Sequence, residues 1–162
     1  MEKSPSIHQR NNLIFDFLLY SGLRINELVQ IKHPDWQDHQ LRVHGKGNKV
    51  RFVLLPEFLI TYFNPNSTDY LFTNQRGNPI KAEYIRWLLK VRTEKAGINK
   101  RITPHTFRRS FATLLNSKKC NLTTIQKLLG HSHITTTAQY IHNDYDTLYA
   151  DYSKLWINSP SL

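Results

Sequence analysis

Apolar residues recur every three or four positions near the start of the chain, between His8 and Gly22. The repeating positions are Leu13, Ile14, Phe17, Leu18 and Tyr20. This spacing puts the apolar side chains on one face of an α-helix, and a glycine commonly follows the last helical residue. The pattern therefore predicts a core helix that ends at Gly22. The next segment, LRINELVQIK, predicts a second short helix that stops before Pro34.

Residues 40–55 follow a different pattern, because apolar and polar residues alternate on both sides of the sequence GKGNK. Alternation is typical of β-strands, and a glycine-rich centre is typical of the turn between them. The segment therefore predicts a β-hairpin, with Leu41 and Val43 on one face of its first strand. Farther along, DYLFTNQRGNPI predicts a short edge strand followed by a turn.

The remaining segments mostly carry helical patterns. In chain order these are PEFLITYF, KAEYIRWLLKVRTEKAG, TPHTFRRSFATLLNSK, NLTTIQKLLGH, ITTTAQYIH and DYDTLYADYSKLW. Gly97 marks the end of the second, and Thr103 with Pro104 marks the start of the third. The expected fold class is α+β, mainly helical with a small three-stranded antiparallel sheet. The expected organisation is one domain over residues 1–162, with a tail helix over residues 144–157.

The composition is that of a folded chain. With 162 residues, 40% of them hydrophobic, the chain is long enough to build a core and is not typical of disordered proteins. The most apolar run, LIFDFLLY, contains Asp16 and is too short to span a membrane. Cys120 is the only cysteine, so no disulfide can form within the chain. A reducing, cytoplasmic location without a membrane partner is therefore expected.

The formal net charge is +10, and most of it lies in one stretch. Between Lys95 and Asn143 there are eight Lys and Arg residues and no Asp or Glu. A solvated basic surface is one interpretation. Helix surfaces in solvent usually mix both signs, however, because opposite charges one turn apart stabilise a helix. A stretch without carboxylates is better explained by a phosphate-bearing partner, and nucleic acid is the commonest polyanion.

Two basic residues in the first half of the chain could bind such a partner. Arg24 is expected in the first turn of the second helix, where its charge opposes the helix dipole and so suggests a shared anion. Lys46 lies between Gly45 and Gly47 at the hairpin tip, where the backbone can approach a ligand closely. Taken alone, each is better explained as an ordinary exposed cation.

The second half of the chain adds histidines and a tyrosine. His105 and Arg108 lie on one face of a predicted helix, and a guanidinium can bind two phosphate oxygens at once. His131 precedes Tyr140 by nine residues. His131 and His133 could suggest a metal site, but no cysteine or carboxylate lies near them in sequence, and the clustered Arg and Lys would repel a cation. No metal or other cofactor is therefore expected.

The order of these residues resembles one family. The matching segments are SGLRINEL, GKGNKVRFVLL, TPHTFRRSFAT and LLGHSHITTTAQYIH. Together they are similar to the catalytic domain of the tyrosine recombinases, also called the phage integrase family, from about Leu13 to His142. The resemblance implies the fold of the DNA breaking-rejoining enzymes. The sequence departs from the family pattern at Arg109, where a histidine is frequent, but this position lies outside the catalytic set.

The resemblance implies a site-specific recombinase or integrase that acts on double-stranded DNA. Tyr140 would be the nucleophile that attacks the scissile phosphodiester, giving a 3′-phosphotyrosyl intermediate and a free 5′-hydroxyl before strand exchange and rejoining. Arg24 and Arg108 would grip the phosphate. Lys46 would act as the general acid.

The other implied roles concern support and assembly. His105 and His131 would be the two active-site histidines, and Glu27 would be the acidic residue that supports the site. The family implies a homotetramer on DNA, assembled from subunits that are expected to be monomers when free, with a C-terminal helix often passed to the neighbour. In the free monomer the tail is expected to pack on its own domain. The family's usual N-terminal DNA-clamping domain is expected to be absent from this chain.

Two other functions stay open. A type IB topoisomerase uses a similar Arg–Lys–Arg–His–Tyr set, although the position of His105 three residues before Arg108 favours a recombinase. The second alternative is a non-catalytic DNA-binding module on the same scaffold, although every catalytic position holds the residue that the family pattern expects. Relaxation of supercoiled DNA without a specific site would identify the first, and a covalent DNA adduct would exclude the second.

Overall fold

A computed structural model describes residues 6–120, 125, 129, 149–150 and 152–156. Within these residues the helices are α1 (Ile7–Ser21), α2 (Ile25–Leu28), α3 (Glu57–Ile60), α4 (Ala82–Lys95) and α5 (Pro104–Ser117). The strands are β1 (Trp36–Gln37), β2 (Gln40–His44) and β3 (Val50–Val53), and 3₁₀ turns lie at His33–Asp35 and Lys46–Asn48. The predicted fold class, mainly helical with a three-stranded antiparallel sheet, is confirmed.

The boundaries of α1 follow from its sequence. The Gln9 side-chain oxygen accepts a hydrogen bond from the Ser6 backbone N–H at 2.8 Å, and the Ser6 hydroxyl accepts one from the Gln9 backbone N–H at 3.2 Å. Gly22 follows the helix with φ +64°. A Cβ atom at Gly22 would lie 2.5 Å from the ring carbon Cδ1 of Phe111. The helix therefore ends where the sequence predicts, and the glycine there lets α5 pack against the junction between α1 and α2.

The sheet has the order β1-β2-β3, and both strand pairs are antiparallel. Leu41 pairs with Val53, and Val43 pairs with Arg51. Leu41, Val43 and Val53 are buried, so this face of the β2–β3 hairpin points to the core. The predicted hairpin is confirmed, with Lys46 in its connecting turn.

The third strand is not the segment that the sequence favoured. Residues 69–80 were expected to begin with an edge strand, but among the described residues they form isolated bridges, Lys32 with Tyr70 and Thr73 with Pro79. The start of this segment meets Lys32 and its neighbours at a single bridge and, in the part of the chain that the structure describes, has no second paired residue that would make a strand. That strand prediction is wrong, and the third strand is β1, which comes before the hairpin in the chain.

The core joins α1 to residues near the end of the chain. The Tyr152 side chain is 2% exposed, and its hydroxyl donates a hydrogen bond to the Tyr20 carbonyl oxygen at 2.7 Å. The Trp156 ring stands edge-on to the Tyr20 ring, with the centroids 5.0 Å apart. The described tail residues therefore pack on their own chain, as expected for a free monomer. Residues 149–150 and 152–154 are helical and residues 155–156 form a turn, while residues 144–148, 151 and 157 of the predicted tail helix lie outside the described part.

Two further predictions concern the second half of the chain. Ile125 and Leu129 are helical and buried, which agrees with a helix in NLTTIQKLLGH. The predicted helix in ITTTAQYIH lies outside the described residues. No helix in the described ranges is long and apolar enough to cross a lipid bilayer.

Candidate active site

The carboxylate of Glu27 lies at the beginning of α2, and Glu27 is only 3% exposed. Its Oε2 accepts a hydrogen bond from the Arg24 backbone N–H at 2.7 Å, and its Oε1 accepts one from Arg24 Nη1 at 3.1 Å. A carboxylate in this position satisfies a free backbone donor and complements the positive end of the helix. Arg24 directly precedes α2 and is not in its first turn, so the expected position is wrong by one residue. The anion at this helix start is Glu27 itself, so the position of Arg24 does not by itself require a ligand.

A second arginine, which the sequence analysis missed, binds the same carboxylate. Arg51 Nη2 donates to Glu27 Oε2 at 2.7 Å, and Arg51 Nε donates to Glu27 Oε1 at 3.2 Å. The two parallel hydrogen bonds give the planar, bidentate geometry in which guanidinium and carboxylate bind best. The hairpin pattern contained a signal for this contact. Arg51 pairs with buried Val43 and so faces inward, where a charge needs a partner.

The two arginines keep Glu27 ionised. Burial by itself raises the pKa of this carboxyl, because a low dielectric disfavours the charged form. The hydrogen bonds and charge of Arg51, with the amide and charge of Arg24, outweigh burial and lower the pKa below its ordinary value. Glu27 is therefore an anion at neutral pH, fixed between two cations.

Arg108 reaches the same region from α5. It is 8% exposed, and its guanidinium donates hydrogen bonds to the carbonyl oxygens of Gly22 and Leu129. Gly22 lies two residues before Arg24, so these bonds hold Arg108 at the α1–α2 junction. Burial and the charges of Arg24 and Arg51 together lower the pKa of Arg108 to about 10, although Glu27 opposes the shift. Arg108 is therefore still protonated at neutral pH.

Arg24, Arg51 and Arg108, which we call the arginine cluster, carry more charge than Glu27 can neutralise. Three positive charges and one negative charge leave an excess of two positive charges. The Arg24 side chain is 45% exposed, so an anion can approach the cluster from solvent on that side. Fixed guanidinium groups beside a buried carboxylate are suited to binding a phosphodiester, because they need little reorganisation when the anion arrives.

The first turn of α5 places the predicted His105 near this region. The helix starts after Thr103, whose backbone N–H donates to the Thr106 hydroxyl at 3.0 Å. His105 is exposed and lies one turn before Arg108. Arg109 is exposed too, and it lines a shallow groove with Thr106, so it faces away from the buried Arg108. Arg109 was expected to lie outside the catalytic set, and this stays a prediction.

Lys46 is exposed at the tip of the hairpin. The base of the tip lies against the buried carboxylate, since a Cβ atom at Gly45 would lie 3.8 Å from Glu27 Oε1. The structure thus brings Arg24, Glu27 and Arg108 together and places the Lys46 turn beside them. His131 and Tyr140 lie outside the described residues, and their roles stay predictions.

The described residues contain no group of three or more His, Cys, Asp or Glu side chains that could hold a metal ion. The charged groups that the structure brings together are mostly cations.

Comparison with known proteins places the chain among DNA recombinases. Residues 1–147 match the sequence profile of the Phage integrase family. Tyrosine recombinase XerD of Staphylococcus haemolyticus is 39% identical over 147 residues, which cover 82% of this chain and 50% of the relative. Tyrosine recombinase XerC of Anoxybacillus flavithermus is 33% identical over 161 residues, which cover 90% of this chain and 54% of the relative. The chain spans about half the length of the curated relatives that it matches.

A solved structure has the same fold. The XerH site-specific recombinase, solved in a pre-cleavage complex with its difH substrate, matches with a TM-score of 0.65 at 28% identity. The match covers 93% of this chain and 45% of the XerH chain. The similarity therefore includes nearly all of this chain.

Proposed function

Because this chain belongs to the phage integrase family, we propose that it is the catalytic part of a tyrosine site-specific recombinase, which cleaves and rejoins DNA. One observation carries the proposal. Arg108 of α5 is hydrogen-bonded to the carbonyl oxygen of Gly22, and its pKa is lowered first by burial and then by the nearby charge of Arg24. Two arginines that are far apart in sequence therefore form one anion-binding site, as gripping a scissile phosphate requires.

The proposed reaction begins with the attack of the Tyr140 phenolic oxygen on the phosphorus atom. A tyrosine has a pKa of about 10, so roughly one molecule in a thousand is ionised at pH 7, and the proton must be removed. His105 takes or organises that proton. The bond between phosphorus and the 5′-oxygen breaks, and Lys46 supplies the proton to the leaving oxygen. The products are a 3′-phosphotyrosyl link and a free 5′-hydroxyl.

The arginines stabilise the transition state of this reaction. Arg24, Arg108 and His131 would bind the non-bridging oxygens, where negative charge increases during attack. Rejoining is the reverse reaction with a 5′-hydroxyl as the nucleophile. The covalent link keeps the energy of the phosphodiester, so no further energy source is needed.

The proposed partner is double-stranded DNA. The transposon Tn1549 integrase, which has a similar fold, was solved in complex with circular intermediate DNA, and the positive charge of this chain supports the same class of ligand. We further propose one domain with a C-terminal tail helix, a monomer in the free state, a homotetramer on paired DNA sites, and a cytoplasmic location. Sedimentation velocity with and without DNA would measure the two assembly states.

The test is the covalent adduct. Duplexes with a randomised core and a nick beside it would be incubated with the protein, and the trapped species would give the preferred site. On that site, Tyr140→Phe should lose the adduct and keep DNA binding, while the matched variant Tyr145→Phe should form the adduct. EDTA should leave the reaction unchanged. An adduct that persists in Tyr140→Phe would refute the assignment of the nucleophile.

The two alternative functions give different results in the same assays. A type IB topoisomerase would relax a supercoiled plasmid that lacks the selected site. A non-catalytic DNA-binding module would bind the site and form no adduct with any variant. A recombinase should form the adduct and exchange strands between two copies of the site.

A further inference from the structure

One carboxylate connects two parts of the proposed catalytic machinery. Glu27 binds the backbone and the guanidinium of Arg24, which is proposed to grip the phosphate. The same carboxylate binds Arg51 of β3, the strand that follows the Lys46 turn. The resemblance assigned no role to Arg51, and Arg51 takes no direct part in the proposed reaction steps.

The base of the hairpin tip is bonded to Glu27 through Arg51 and lies beside the carboxylate at Gly45. Arg51 holds both carboxylate oxygens, and its side chain is only 16% exposed. Gly45, which directly follows β2, is close enough to the carboxylate that an added Cβ atom would lie 3.8 Å from Oε1. The Gly45 N–H donates to the Lys49 carbonyl oxygen at 2.8 Å, which closes the turn that carries Lys46. The contact between Arg51 and Glu27 therefore lies at the base of the turn that carries Lys46.

We propose that Arg51 is a positioning residue, which sets the location of the Lys46 ammonium relative to the phosphate held by Arg24. The inference rests on the proposed function, because it assumes that Lys46 protonates the leaving oxygen. Arg51 acts through Glu27 and the hairpin backbone and does not touch the reacting atoms. Its planar guanidinium matters as well as its charge, because a lysine ammonium cannot bind both carboxylate oxygens in the same bidentate way.

The test compares two DNA substrates that differ in one atom. In one duplex the scissile 5′-bridging oxygen is replaced by sulfur, and a thiolate leaves without needing a proton. Single-turnover cleavage at saturating protein should be about 10²-fold slower for Arg51→Lys than for the unaltered protein on the oxygen substrate, as for other misplacements of a catalytic group. The sulfur substrate should restore most of the rate for Arg51→Lys, as for Lys46→Ala. Arg24→Ala should gain no such restoration.

The control is Arg42→Lys, because Arg42 is an exposed cation on the outer face of the same hairpin. It should cleave both substrates as the unaltered protein does. An Arg51→Lys rate close to that of the unaltered protein, or a slow rate that sulfur does not restore, would overturn the inference. A slow rate that sulfur does not restore would mean that Arg51 affects only the binding of the phosphate and not the position of Lys46.

A measurement without DNA separates this inference from the proposed function. Amide hydrogen exchange, followed residue by residue by NMR, should become faster at Gly45 and Arg24 in Arg51→Lys, because their N–H groups lie on either side of the contact. The same amides should be unchanged in Arg42→Lys. Unchanged exchange in Arg51→Lys would overturn the positional link. If the unaltered protein forms no adduct on either substrate, the proposed function fails, and the exchange experiment still decides whether Arg51 holds the hairpin.

Discussion

Replacing Glu27 with glutamine removes one negative charge from between two guanidinium groups and hardly changes the side-chain volume. Glu27 is 3% exposed and Arg51 is 16% exposed, so their pair is largely shielded from solvent. Removing one partner of a buried ion pair costs about 3–5 kcal/mol, because the other charge is left uncompensated. The bond to Arg24 adds little, since the Arg24 side chain is 45% exposed and exposed pairs contribute about 0–1 kcal/mol.

We therefore expect Glu27→Gln to lower the free energy of unfolding at pH 7 by about 3 kcal/mol. For a chain of this size that loss corresponds to a fall of about 10 °C in Tm. Urea denaturation followed by circular dichroism would measure it. The matched control is Glu83→Gln, because Glu83 pairs with Arg86 at 3.3 Å and the two side chains are 78% and 50% exposed. That variant should change the free energy of unfolding by less than about 0.5 kcal/mol.

The pH dependence gives a second check of the same reasoning. The folded-state pKa of Glu27 is lowered, so its contribution to stability is fully present above the unfolded-state pKa, about 4.3, and is lost as the pH falls through the folded-state value. The difference between the unaltered protein and Glu27→Gln should therefore be constant near neutral pH and should decrease in acid. A Glu27→Gln variant as stable as the unaltered protein at pH 7, or a difference that does not change with pH, would refute the role given to the carboxylate.

Two further predictions concern the packing that supports the site, and one concerns charge. Gly22→Ala should destabilise the fold by about 3 kcal/mol in urea denaturation, because it strains a positive φ and puts a methyl group 2.5 Å from the Phe111 ring. Tyr152→Phe should cost about 1–2 kcal/mol, because it removes the hydrogen bond to the buried Tyr20 carbonyl; an unchanged free energy of unfolding would contradict this. Arg108→Gln should weaken DNA binding and make the affinity depend less steeply on salt concentration, as binding assays would measure. It should also reduce adduct formation by about 10²–10³-fold in single-turnover assays.

The sequence alone determined the elements whose causes are local. The helix α1 and the strands β2 and β3 were predicted from patterns that depend only on neighbouring positions. The end of α1 at a glycine and the start of α5 at Thr-Pro are local signals of the same kind. The family resemblance was found in the same way, because it depends on short motifs and the spacing between them. None of these features depends on where distant segments of the chain lie.

The tertiary structure decided which charged groups meet. The alternation places Arg51 on the inner face of the hairpin, but its partner depends on how the hairpin lies over α2. The approach of Arg108 to Gly22 likewise depends on the packing of α5 against the end of α1. The third strand was assigned wrongly for the same reason, since pairing partners are chosen by the whole fold. Charge pairing acts through space, and the sequence gives the order of the groups but not their distances.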